Sequence, residues 1–168
     1  GVVTISKGPG FFQQVDRAIA DRGLSPATAR VIISVGFNDT YNNTSRPDAD
    51  IRRDFVNYMV PQIRRIKAAA PNARIQIVGY PKITDGDRVC LFHIAPNTSD
   101  WTRYQDVQRW ENLAQWMEVD AARAAGVEFL DLKPSTWNNN MCAPDDKRMW
   151  AGIVDFYAGP GNLPIHVN

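Results

Sequence analysis

The stretch that most limits what this chain can fold into is Val31-Ile32-Ile33-Ser34-Val35, followed at once by Gly36-Phe37-Asn38-Asp39. A short β-branched run of this kind suits a strand buried on both faces of a parallel sheet. It breaks at a glycine into a polar pair, and in open α/β sheets ligands sit beyond the carboxyl ends of the strands. Asn38 and Asp39 therefore stand where a site is expected. Gly, Asn and Asp also favour plain turns, so the tetrapeptide alone reads equally well as a turn.

The rest of the chain alternates strand and helix. Val2–Ile5 reads as a short strand, followed by the loop Ser6-Lys7-Gly8-Pro9-Gly10. Phe11–Arg22 reads as a helix with Phe11, Phe12, Val15 and Ile19 on one face and Gly23 as its stop. A helix is expected over Asp48–Ala70, where Ile51, Phe55, Tyr58 or Met59, Ile63 and Ile66 recur at three and four. Pro61 inside it predicts a kink or a break. Arg74–Pro81 is the next strand and Lys82–Asp100 a long loop carrying Cys90 and His93. Trp101–Ala125 reads as a second long helix with Trp101, Tyr104, Val107, Trp110, Leu113, Met117 and Ala121 in one stripe. Such a stripe signals core rather than a sugar platform. Val127–Leu132 is a further strand, and the remainder is loop-rich, with a helical turn near Asp145–Trp150. This alternation predicts a parallel sheet with helices on both faces.

A chain of 168 residues fits one domain with a substantial core. A net charge of +1 gives no electrostatic case for nucleic acid or an anionic membrane. No window is long and apolar enough to make a transmembrane segment. Cys90 and Cys142 both lie in loop sequence. One disulfide between them is favoured over two unrelated thiols, and implies an oxidising, secreted or extracytoplasmic setting. Neither has a Cys-x-x-Cys or metal-like neighbour, so zinc and redox catalysis are not expected.

Gly36-Phe37-Asn38-Asp39 resembles the Gly-x-Asn-Asp block of the SGNH (GDSL-like) hydrolase superfamily, esterases and lipases on a flavodoxin-like three-layer sandwich. Ala70-Pro71-Asn72 through Val78-Gly79-Tyr80-Pro81 is similar to the segment after that block in secreted bacterial members. Gly126-Val127-Glu128-Phe129-Leu130-Asp131 through Met141-Cys142 to Trp150 resembles the approach to their catalytic histidine. Pro164-Ile165-His166-Val167-Asn168 resembles the last block, Asp-x-x-His-Pro. The resemblance covers essentially the whole chain. It implies a serine esterase acting on an acyl ester of a small alcohol, lipid or glycan, without metal or organic cofactor. His166 matches the general base, Asn38 the oxyanion donor, and Gly8 (or Gly10) a backbone donor from the second block. His93 has no partner pattern and reads as structural or solvent-facing.

Two departures follow. The Gly-Asp-Ser block that carries the nucleophile is absent, and Ser6, with one helix between it and Asn38, fits the second block instead. Leu163 stands where the family has its Asp, so either a Ser-His dyad uses a backbone carbonyl or Asp155 approaches His166. In this fold the missing first strand would lie between Val2–Ile5 and Val31–Val35. Its absence, with that of the terminal helix, implies that the chain is a fragment whose nucleophile comes from a companion N-terminal segment or chain. Two other readings stay open: a non-catalytic binding or assembly module, and a nucleotide or phosphate binder using the Ser6–Gly10 loop. The last fits neither the P-loop nor the dinucleotide fingerprint.

Overall fold

The computed structural model describes residues 9–167, so the strand expected at Val2–Ile5, Ser6 and Gly8 lie outside the described residues. In chain order the helices and strands are α1 (Phe11–Ala20), β1 (Arg30–Ile33), α2 (Phe37–Tyr41), α3 (Asp48–Ala69), β2 (Arg74–Val78), β3 (Arg88–Val89), β4 (Phe92–His93), β5 (Thr102–Arg103), α4 (Gln105–Ala125), β6 (Glu128–Leu130), α5 (Lys133–Thr136) and β7 (Val154–Asp155). They fall into two compact units. The first holds the residues up to Gly79 together with Leu113–Asp131, and the second Tyr80–Asn112 together with the residues from Leu132 onward.

The first unit is a parallel sheet in the order β1-β2-β6. Register puts Val31 beside Ile75, and Ile33 beside Ile77 and Phe129, on one face. Both crossovers advance in the same direction, so right-handed connections place their helices on that same face. The core follows: Ile51, Phe55, Met59, Ile63 and Ile66 of α3 and Leu113, Met117 and Ala121 of α4 pack with Ile33, Ile75 and Ile77, joined by Phe11 and Val15 of α1. The opposite face holds a polar ladder, in which Arg74 grips Glu128 through two bonds of 2.7 Å and Gln76 donates to it at 2.9 Å.

Several expectations need correction. Ile32 is 63% exposed, so β1 is buried on one face only among the described residues. Its neighbours across the register are Gln76 and Glu128, on the polar face. Phe12 and Tyr58 are exposed, leaving the buried stripes to Phe11 and Val15 and to Met59. Helix α1 ends with Arg22, not Gly23, in the left-handed region (φ +58), where the Leu24 amide bonds the Ala18 carbonyl at 3.0 Å. Helix α3 runs through Pro61 unbroken. Pro61 is exposed, so the missing backbone bond falls on the water side, where it costs least. The second long helix starts at Gln105, not Trp101. Trp101 has φ +49, and Thr102–Arg103 pairs antiparallel with Arg88–Val89, so Trp101 and Tyr104 leave the stripe and are each 45% exposed.

The second unit is held by polar contacts and a crosslink more than by an apolar core. Cys90 and Cys142 form the expected disulfide. The Glu111 carboxylate is buried and accepts from the Lys82 ammonium (2.9 and 3.0 Å), the Thr84 hydroxyl (2.6 Å) and the Ile83 and Thr84 amides (both 3.3 Å). The Lys82 amide donates to Thr136 Oγ1, and the Lys82 carbonyl accepts the Trp150 indole N–H. A buried charge is tolerated only when paired and hydrogen-bonded in this way.

Phe55 is fully buried, so Phe55→Ala should cost about 3–5 kcal/mol of stability in urea unfolding. Replacing Cys90 and Cys142 together by Ala should cost about 2–4 kcal/mol, because the crosslink then no longer restricts the unfolded chain.

Candidate active site

Strand β1 delivers the chain to Gly36 and then into the single turn α2. Gly36 has φ +136, a conformation that favours glycine. A Cβ there would stand 3.3 Å from the Phe55 ring and 3.5 Å from Glu118 Oε1. The turn is closed by its own side chains: Asn42 Nδ2 donates to the Asn38 carbonyl (2.7 Å), Asn43 Nδ2 to the Asp39 carbonyl (2.8 Å) and the Thr40 hydroxyl to the Phe37 carbonyl (2.7 Å). Asp39 is buried and Asn38 half-buried. Among the described residues the Asn38 side-chain amide has no hydrogen-bond partner, so its two N–H donors are available. Glu118, a fully buried carboxylate close to Gly36 and Gly79, was not singled out from the sequence. It sits in an apolar stripe beside Met117, where only its charge hinted at more than packing.

His166 lies in the second unit. The chain before it is clamped: the Ile165 amide donates to the Ala151 and Gly152 carbonyls (3.1 and 3.3 Å), and the Ala151 amide donates to the His166 carbonyl (2.9 Å). Ile165 has φ +55, an unusual conformation for a β-branched residue and of the kind found beside functional groups. His166 Nδ1 lies 2.8 Å from the Pro164 carbonyl oxygen. A carbonyl only accepts, so Nδ1 carries the proton and the lone pair of a neutral ring is on Nε2.

Asp155 does not take the orienting place. It forms a buried ion pair with Arg148 and also accepts the Gly152 amide (2.8 Å) and the Tyr157 amide (3.0 Å). These partners occupy both carboxylate oxygens. Burial opposes ionisation of Asp155, but Arg148 and the two amides outweigh it and hold the carboxyl below the usual carboxylate range. Its effect on His166 runs through the backbone, because the Gly152 that it holds also accepts from Ile165. A side chain at Gly152 would meet the Leu91 carbonyl at 2.5 Å.

Gly10 caps the N-terminus of α1, and its amide donates to the Gln13 side chain (2.9 Å). His93 is buried, its Nε2 3.0 Å from the Cys90 carbonyl, so it is structural and not solvent-facing.

Residues 5–168 match the model of the GDSL-like lipase/acylhydrolase family. The fold is similar to that of an extracellular lipase from Streptomyces rimosus, at 15% identity and a TM-score of 0.59, over 91% of this chain and 69% of that one. It is similar also to a phospholipase A1 from Streptomyces albidoflavus, at 14% identity and a TM-score of 0.57, over 91% of this chain and 69% of that one. At such identities the two structures establish a shared α/β fold. No curated protein gives a significant match.

A carboxyl whose folded pKa is lowered stabilises the fold above its unfolded pKa, and that contribution is lost as pH falls through the folded value. Stability should therefore drop on acidification below about pH 4. Asp155→Asn should cost about 3 kcal/mol at neutral pH, because Arg148 loses a buried counter-charge, and should flatten this acid limb. Urea midpoints measured across pH check both. Gly36→Ala should lower stability by about 1–3 kcal/mol through backbone strain and the Phe55 contact, read by thermal unfolding.

Proposed function

Because this chain belongs to the GDSL-like lipase/acylhydrolase family, we propose that it hydrolyses an acyl ester through a covalent acyl-enzyme, with His166 as general base and Asn38 as oxyanion donor. The observation that carries this reading is the 2.8 Å contact between His166 Nδ1 and the Pro164 carbonyl. It supplies the orientation that Leu163 cannot, and leaves Nε2 free to accept a proton.

In this mechanism Nε2 takes the serine hydroxyl proton as Oγ attacks the ester carbonyl carbon. The tetrahedral oxyanion accepts from the Asn38 amide and from a backbone amide, for which the family pattern proposes Gly8. The imidazolium then gives its proton to the departing alcohol. Water repeats the cycle on the acyl-enzyme and releases the carboxylic acid. No step draws on a metal or organic cofactor.

We place the nucleophilic serine on a segment outside these residues, seated along the outer edge of β1. This placement rests on the family pattern, for the sequence holds no Gly-Asp-Ser block. The disulfide and the likeness to an extracellular lipase support an extracytoplasmic setting. The second reading, a non-catalytic module of the same fold, draws its support from Leu163 in the acidic position.

The test is fluorophosphonate labelling of the protein purified from its source, followed by peptide mapping. The adduct should sit on a serine outside these residues; an adduct on Ser6 or any other serine of the sequence would overturn that placement. In the same protein His166→Ala should lower kcat by about 10²–10⁴. Asn38→Ala should lower it by about 10²–10³ with little change in KM, since its bond forms chiefly in the transition state.

A further inference from the structure

The second unit holds a cavity of about 410 Å³ beside the disulfide, within the size range of small-molecule sites. Its wall is mixed. Such sites are mostly apolar, but here polar and apolar surface contribute about equally, with Asp85, Asn97, Asn138 and Lys147 standing beside Trp101, Ala143 and Pro144. An acyl chain would leave the polar half of this wall unsatisfied, whereas a ligand carrying many hydroxyls would pair with it.

The chemistry of the free groups narrows the ligand further. Among the described residues the side chains of Asp85, Asn138 and Lys147 have no hydrogen-bond partner. Asn97 uses its Oδ1 to accept from the Asp145 amide (3.0 Å), which leaves its Nδ2 donors free. The cavity thus offers amide donors, carboxylate and amide acceptors and one ammonium around a single exposed indole. Sugar hydroxyls both donate and accept, and the C–H face of a pyranose packs on an aromatic ring. An anion is disfavoured: Lys147 is opposed by Asp85, and Asp145 is already paired with Arg148. Among the described residues no group of three or more metal-type ligands is present.

The backbone that carries the indole is also held in place in advance. Trp101 and Asn97 both have left-handed backbones, with φ +49 and +51. The Trp101 carbonyl is gripped by Arg88 Nη1 (2.8 Å), and the Asn97 amide by Asp145 Oδ2 (2.7 Å). Asp100, next to Trp101, accepts the Leu91 and Phe92 amides (2.7 and 3.0 Å). Trp101 stays 45% exposed although the backbone around it is fixed. An aromatic side chain has only two torsions left to restrict, so it binds at low entropic cost.

We propose that this cavity is a binding subsite for a neutral carbohydrate, with a sugar ring stacked on Trp101 and its hydroxyls on Asn97, Asn138 and Asp85. The sugar is the alcohol portion of the ester, an assignment that rests on the ester-hydrolase reading above. The link to the reaction lies within one unit. His93 forms one wall of the cavity and meets Gly152, where a Cβ would stand 3.0 Å from His93 Cδ2, and the Gly152 carbonyl accepts the Ile165 amide beside His166.

The experiment is an NMR titration of the ¹⁵N-labelled chain with cellotriose, xylotriose and chitotriose at millimolar concentration. At least one should shift the Trp101 indole N–H and the Asn97 and Asn138 side-chain amides saturably. Trp101→Ala should weaken that binding by more than about tenfold, the loss expected for an aromatic anchor. Asn138→Ala should weaken it by a few fold, and both variants should keep a dispersed spectrum. No shift of these signals with any of the three sugars would overturn the subsite, and so would undiminished binding by Trp101→Ala. Ester hydrolysis by the protein purified from its source is scored separately. Sugar binding without hydrolysis keeps the subsite and removes the enzyme reading, whereas hydrolysis without sugar binding removes the subsite alone.

Discussion

The parallel ladder β1-β2-β6 is the constraint on which the first unit depends. Its two crossovers run the same way, so α3 and the second part of α4 share one face and bury Ile33, Ile75 and Ile77 between them. That packing puts the Phe55 ring 3.3 Å from where a Cβ of Gly36 would stand, at a turn whose φ of +136 favours glycine. The turn is what fixes Asn38. A half-buried amide held by a one-turn helix can aim its N–H donors at a developing charge without reorganising, which is where electrostatic catalysis gains most.

The second unit reaches order by other means. It has a crosslink, a buried carboxylate at Glu111 that accepts five hydrogen bonds, and the Arg148–Asp155 ion pair. Such networks add little net stability over apolar packing, but breaking one leaves an uncompensated charge, so they specify a single arrangement. Here that arrangement fixes loops. Asp155 holds Gly152, Gly152 holds Ile165, and His166 follows with its ring on the Pro164 carbonyl. The strained backbone at Ile165 is sustained by these contacts around it.

Much of this was legible in the sequence because periodicity reports burial. The α3 stripe and the strands expected at Arg74 and Val127 follow from local pattern, and the Cys90–Cys142 pair from two loop cysteines in an otherwise cysteine-free chain. The misreadings have physical causes. Trp101 and Tyr104 keep helical spacing, but the helix is stopped short by the strand pair Arg88–Val89 with Thr102–Arg103, a contact that periodicity does not register. Ile32 looks like core by type, yet its face is set by register with Gln76 and Glu128. Asn38 and His166 stood out through motif context. The carbonyl that orients His166 did not, because a backbone group leaves no mark on residue identity. The Trp101 cavity was equally hidden, since loops distant in sequence build it.

In the proposed mechanism a backbone carbonyl, with no carboxylate, prepares His166 to act as a base. The most direct measurement is the imidazole tautomer, read from long-range ¹H–¹⁵N couplings of His166 at a pH where the ring is neutral. A proton on Nδ1 and a pyridine-type Nε2 are expected. A neutral ring with its proton on Nε2 would contradict this mechanism, because no lone pair would then face the serine.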